Sequence, residues 1–143
     1  MGALRDGRRF RGLAAAAALG AAAAGFGQAV ALSAAERPAA IVVEASEFAY
    51  DVRGNVSLVK PRSGPARLVL QAGQVLFRVT NIGVIEHNFV VWDTQEQSVG
   101  EIPVLAAGET QELPLSLAPG SYLIVCTYPG HKELGMQMEL EVR

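Results

Sequence analysis

The chain has 143 residues, with 12 Lys+Arg against 14 Asp+Glu, two His and one Cys, which bounds it at one domain plus a targeting segment. A lone cysteine excludes a disulfide scaffold, and two histidines argue against enzymes built on histidine clusters. A polytopic membrane protein is excluded too, because only the N-terminal apolar run approaches the length of a bilayer span.

Arg5, Arg8, Arg9 and Arg11 precede an Ala-rich stretch from Leu13 to about Leu32. Of the first 40 residues 16 are Ala, against 7 in the remaining 103, so the 50% apolar content is inflated by this segment. A basic start, an apolar run and the small residues Ala29-Val30-Ala31 follow the order of a secretory signal. Residues 1–31 are therefore expected to be a signal peptide, with a retained membrane anchor as the alternative. Arg8-Arg9-Phe10 offers a twin-arginine export route beside the general secretory one. By either route the body works in the periplasm or another extracytoplasmic space, meeting the membrane only if the leader is kept. From Leu32 onward there are 8 Lys+Arg and 13 Asp+Glu. That negative balance argues against nucleic acid, whose phosphates need Lys and Arg, and is compatible with a basic protein partner.

Residues 32–39 read as a linker and 40–143 as the domain. The pattern there has period two: Val75, Phe77 and Val79 alternate with Leu76, Arg78 and Thr80, and Met138, Leu140 and Val142 with Gln137, Glu139 and Glu141. Gly64-Pro65, Ala72-Gly73, Ala107-Gly108 and Pro119-Gly120 punctuate the runs. Strands are expected near 40–48, 56–60, 66–71, 74–81, 86–92, 101–105, 110–117, 121–126 and 137–142. Residues 93–100 read as a connection with a helical turn. Short strands at this spacing predict an all-β, antiparallel sandwich.

The chemistry is concentrated in Cys126-Thr127-Tyr128-Pro129-Gly130-His131-Lys132-Glu133-Leu134-Gly135-Met136. A thiol, an imidazole and a thioether follow one another at intervals of five residues between the last two strands. Pro129-Gly130 and Gly135 supply the bends that let them converge. His87 begins an apolar strand, and in a sandwich a strand start and a late loop can meet at one end. Two imidazoles, a thiolate and a weak axial thioether select copper and read as a blue-copper electron-transfer site. Zinc, the rival, takes four Cys, His or carboxylate ligands and seldom a thioether. Singly, His87 is a strand-end histidine, Cys126 a buried small hydrophobe and Met136 core filler. Their combination at this spacing carries the reading. Trp92 could relay electrons, though a core aromatic is the commoner role.

With these residues in view the chain resembles the cupredoxins, the small blue copper proteins that include plastocyanin, azurin, auracyanin and rusticyanin. The Cys-x4-His-x4-Met spacing is similar to that of auracyanin and rusticyanin, and the likeness spans nearly all of residues 40–143. It implies a Greek-key β-sandwich or barrel of about eight strands holding one copper ion per chain. His87, Cys126 and His131 would be the strong ligands and Met136 the axial one. Asn88 would point its N–H at the Cys126 sulfur and tie its side chain to Thr127, tuning the site. His131 would present an imidazole edge at the surface, ringed by Val84, Pro129 and Leu134, where partners dock.

The implied function is single-electron shuttling by a monomer between protein redox partners such as a cytochrome, an oxidase or a reductase, without enzymatic turnover. The alternative is an extracytoplasmic copper delivery or storage protein, whose ligands would be exposed and exchangeable. A fragment of a copper enzyme would need further ligands that this chain lacks.

Overall fold

The computed structural model describes residues 38–143. The expected signal peptide, and the expected linker up to residue 37, lie outside the described residues. Ten strands follow in order: β1 (Ala40–Ser46), β2 (Ala49–Arg53), β3 (Ser57–Val59), β4 (Ala66–Leu70), β5 (Gly73–Asn81), β6 (His87–Trp92), β7 (Ser98–Leu105), β8 (Thr110–Leu117), β9 (Gly120–Val125) and β10 (Gln137–Val142). No helix occurs among the described residues.

Alternation decides which face each strand buries. Ile41, Val43 and Ala45 of β1, Val75, Phe77 and Val79 of β5, and Met138, Leu140 and Val142 of β10 all point into one core. Each large apolar side chain buried there contributes about 1.5–3 kcal/mol. The core lies between a four-stranded sheet of order β2-β1-β5-β8 and a six-stranded sheet of order β3-β4-β10-β9-β6-β7. β5 pairs with β8, while β6 and β7, which lie between them in sequence, belong to the other sheet. That return is the Greek-key connection. Tyr122 donates its hydroxyl to Ala118 O at 2.9 Å, tying the start of β9 back across the preceding turn.

Three expectations are corrected. The sandwich is mixed rather than antiparallel, because β1 runs parallel to β5 and β10 parallel to β4. Each of these pairs joins strands whose connection passes through the opposite sheet. The first window stops at Ser46, and the chain turns through Glu47-Phe48 into β2, which pairs with β1 from Ser46↔Ala49. Phe48 holds φ at 62°, a conformation that costs a non-glycine residue about 1–2 kcal/mol. The turn lacks the Asn-Gly signature that makes a hairpin legible. Residues 93–100 are also not a long connection: Asp93 Oδ1 accepts the N–H groups of Gln95 and Gln97 at 2.8 and 2.9 Å, and β7 begins at Ser98. An aspartate closing the turn on its own backbone replaces the expected helical turn.

This topology sets up one end of the sandwich. β6 pairs with β9 in the register Val90↔Val125, so the start of β6 lies beside the end of β9. β9 pairs with β10 from Gln137↔Val125. The loop 126–136 therefore leaves and returns on neighbouring strands, next to His87.

Candidate metal centre

His87, the first residue of β6, is fully buried. Cys126, immediately after β9, and Met136, immediately before β10, are fully buried as well. Their backbones meet, with Cys126 N–H donating to Met136 O at 3.1 Å and Met136 N–H to His131 O at 2.9 Å. Between them His131 N–H donates to Tyr128 O and Leu134 N–H to Gly130 O, both at 3.1 Å. Gly130 and Gly135 take φ of 83° and 109°, left-handed conformations that glycine adopts at little cost. The excursion is thus a compact knot of turns that holds His131 half-buried against the other residues.

Three donor atoms converge. His87 Nδ1 lies 3.3 Å from His131 Nδ1, and His131 Nδ1 lies 3.3 Å from Cys126 Sγ. All three side chains offer ligand atoms within 4.8 Å of one another. Three donors each about 2.0–2.3 Å from one ion in a trigonal plane stand roughly 3.5–4 Å apart. The observed 3.3 Å steps are a little shorter than that spacing, and the Met136 side chain is buried in the same core cluster as Cys126. His87 Nε2, on the far side of its ring, is buried without a hydrogen-bond partner. An orphaned polar atom of this kind calls for a functional reason. Burial, and after it the neighbouring His131, hold the His87 imidazole below its ordinary pKa, while Glu47 opposes them. A neutral imidazole is the form that binds metal.

Supporting contacts lock the two ligand-bearing segments together. Asn88 Nδ2 donates to Thr127 Oγ1 at 2.7 Å, and Thr127 N–H donates to Asn88 Oδ1 at 2.9 Å. The side-chain tie that the resemblance implied is present. A bond from the Asn88 N–H to the Cys126 sulfur is not among the hydrogen bonds of the described residues; the main-chain contact seen at Asn88 is its carbonyl, which accepts the Tyr50 hydroxyl at 2.5 Å.

The loops before His87 and around His131 expose apolar side chains. Val84 is 85% exposed and Leu134 62%, with Ile82 and Pro129 also exposed. Asn81, itself fully buried, shapes the loop before His87 by donating to Ile85 O and Leu105 O and accepting from Gly83 N–H. Glu47 accepts the Val84 N–H at 2.6 Å, a bond that holds its carboxyl below its usual range. Phe48 and Tyr128 meet the His131 ring edge-on, with centroids 5.2 and 5.8 Å away. Trp92, expected in the core, instead lies half-buried outside the core cluster, with Lys132 Nζ 5.0 Å from its ring centre.

Sequence reasoning singled out His87, Asn88, Cys126, Thr127, His131 and Met136, and the fold brings them together. It passed over Tyr50, Phe48 and Asn81. Phe48 and Tyr50 belong to a hairpin without a turn signature. Asn81 carries only the weak signal of a polar residue ending an apolar strand.

A β-sandwich that gathers two imidazoles and a thiol at one end, with a thioether buried beside them, defines a blue-copper type of protein. The family model of copper-binding proteins of the plastocyanin/azurin family matches residues 64–143. The chain belongs to that copper-binding family. No curated protein matches the chain. Among solved structures it is similar to dithionite-reduced auracyanin from Roseiflexus castenholzii, with 18% identity, 75% of this chain and 98% of that one covered, and a TM-score of 0.58. Auracyanin A, a "blue" copper protein from Chloroflexus aurantiacus, shares 23% identity over 73% of this chain and all of its own, with a TM-score of 0.54. Rusticyanin from Thiobacillus ferrooxidans is 16% identical over 73% of this chain and 77% of its own, with a TM-score of 0.57. At these identities the structural likeness speaks to the fold.

Proposed function

We propose that the chain is a single-electron carrier of the extracytoplasmic space, in which His87, Cys126 and His131 would be the strong copper ligands and Met136 the weaker fourth. The observation that carries this reading is the convergence of His87 Nδ1, His131 Nδ1 and Cys126 Sγ, at 3.3 Å steps. Copper bound there supplies a one-electron Cu(II)/Cu(I) couple. The chain's own residues do the rest. The Cys126 thiolate and the two imidazoles bind, and the Asn88–Thr127 pair keeps their segments in register. The buried positions of His87, Cys126 and Met136 exclude water, so the donors rearrange little between oxidation states. The half-buried His131 offers the route to the surface, and the exposed Val84, Pro129 and Leu134 form the docking face for a cytochrome, oxidase or reductase.

Residues 1–31 act as the export signal, 32–39 as a linker and 40–143 as the copper domain, working as a monomer without enzymatic turnover. Full burial of three of the four ligands disfavours delivery or storage, which needs exchangeable ligands. The test is visible spectroscopy of the copper-loaded protein with ascorbate reduction and reoxidation. A blue Cu(II) band that bleaches and returns is expected, and Cys126→Ser should abolish it. Retained colour in that variant removes Cys126 from the site, and rapid loss of copper to a chelator favours delivery.

A further inference from the structure

Tyr50, like Asn81, is a buried side chain with a polar end that the four-stranded sheet brings to this end of the core. It is 8% exposed and packs edge-on against Phe89, with ring centroids 5.5 Å apart. Its hydroxyl reaches across the sandwich from β2 to the carbonyl of Asn88, at 2.5 Å, between ligand His87 and core residue Phe89. The β6–β7 ladder is irregular at that point: His87 pairs with Leu105 but Phe89 with Ile102, leaving an extra residue on β7. Pro103, in that interval, has no N–H to give. A side-chain donor at Asn88 therefore meets a carbonyl beside an interrupted ladder. A buried carbonyl left without any donor would cost about 1–3 kcal/mol.

The phenol has one proton, and it is committed to the Asn88 carbonyl, so the bond ties the His87–Asn88 segment to β2.

We infer that Tyr50 is a positioning residue of the metal centre: its hydroxyl pins the His87–Asn88 segment to the opposite sheet and so fixes where the His87 imidazole stands relative to His131 and Cys126. This rests on the copper reading above. Side chains that hold a ligand in place tune the metal it binds, so loss of this bond changes the reduction potential and the thiolate-to-copper absorption.

The experiment compares the full chain, copper-loaded, with Tyr50→Phe and Tyr122→Phe. Tyr122 provides the control, since its hydroxyl also holds a backbone carbonyl but at the start of β9. Both variants should lower the melting temperature. Only Tyr50→Phe should shift the reduction equilibrium, by about tenfold, which is 59 mV for one electron, and move the thiolate-to-copper absorption band. Should Tyr50→Phe fail to fold, 3-fluorotyrosine in place of Tyr50 keeps the shape and strengthens the donor to the Asn88 carbonyl, and it should also move the potential and the band. Equal stability losses with an unmoved potential and band overturn the inference and leave the copper reading standing. A wild-type protein that takes up no copper overturns both, and that failure is visible before any variant is made.

Discussion

Replacing Asn88 with Ala removes both hydrogen bonds to Thr127, at 2.7 and 2.9 Å. A hydrogen bond of this kind contributes about 0.5–1.5 kcal/mol net, so Asn88→Ala should cost about 2 kcal/mol. For a domain near 100 residues, at about 4 °C per kcal/mol, the melting temperature falls by roughly 8 °C. Thr127→Val takes away only the Oγ1 acceptor and should cost about 1 kcal/mol. Because Asn88→Ala already breaks that bond, the double variant should match Asn88→Ala alone, a coupling of about 1 kcal/mol. Thermal unfolding of the metal-free proteins, followed by circular dichroism, measures all four corners of the cycle. The loaded proteins should separate further. A lost support of a metal ligand weakens metal affinity about 10–100-fold, and at 1.4 kcal/mol per tenfold this removes about 1.4–2.8 kcal/mol of binding-derived stability. Additive losses, or an Asn88→Ala effect within about 0.5 kcal/mol of zero, would refute the idea that this pair clamps the two segments.

Two further outcomes follow from the same structure. Gly100 of β7 faces Leu115 so closely that an added Cβ would stand 2.3 Å from Leu115 Cδ2. Gly100→Ala needs only the end of that half-buried side chain to turn aside, so in chemical denaturation the loss should stay at or below about 1 kcal/mol, the low end for an added methyl group, with the loaded spectrum unchanged; a loss above about 3 kcal/mol contradicts the packing. The Val84 N–H holds the Glu47 carboxyl below the usual carboxylate range. A lowered carboxylate pKa stabilises the fold above the unfolded value, and that contribution disappears as the pH falls through the folded one. The melting-temperature gap between wild type and Glu47→Gln should therefore be constant near neutrality and close on acidification below about 4.5. A gap that widens there would show that the charge is not stabilising the loop.

The features that could be read from the sequence share one property: the residue type alone restricts what it can do. Cys, His and Met at intervals of five define a donor set before any coordinates exist, and alternation such as Val75-Phe77-Val79 defines a strand face. The features that escaped depend on placement across the sandwich. Phe48 bends the chain without a turn residue, so β2 could not be separated from β1, and with β2 hidden neither Phe48 against His131 nor Tyr50 against Asn88 could be anticipated. Asn81 looks like an ordinary strand end until Ile85 O, Leu105 O and Gly83 N–H surround it. Trp92 reads as core from its apolar run, yet the alternation of β6 carries it away from Val91 and outside the core cluster.

The centre is consequently built from two layers with different sequence requirements. On the proposed reading the ligands answer to the metal, since a thiolate and an imidazole are chosen for what they donate. Their supports answer to geometry: a carbonyl beside the irregular β6–β7 pairing needs some donor, and Tyr50 fills that need from the opposite sheet because β2 passes there. Any donor of the right reach could meet the same demand. What distinguishes a phenol is that burial keeps its proton on the oxygen, so the bond to the Asn88 carbonyl stays in place across the range of pH in which the fold is stable. A carboxylic acid in that position would add a charge that switches with pH, and would couple electron affinity to acidity where tyrosine does not.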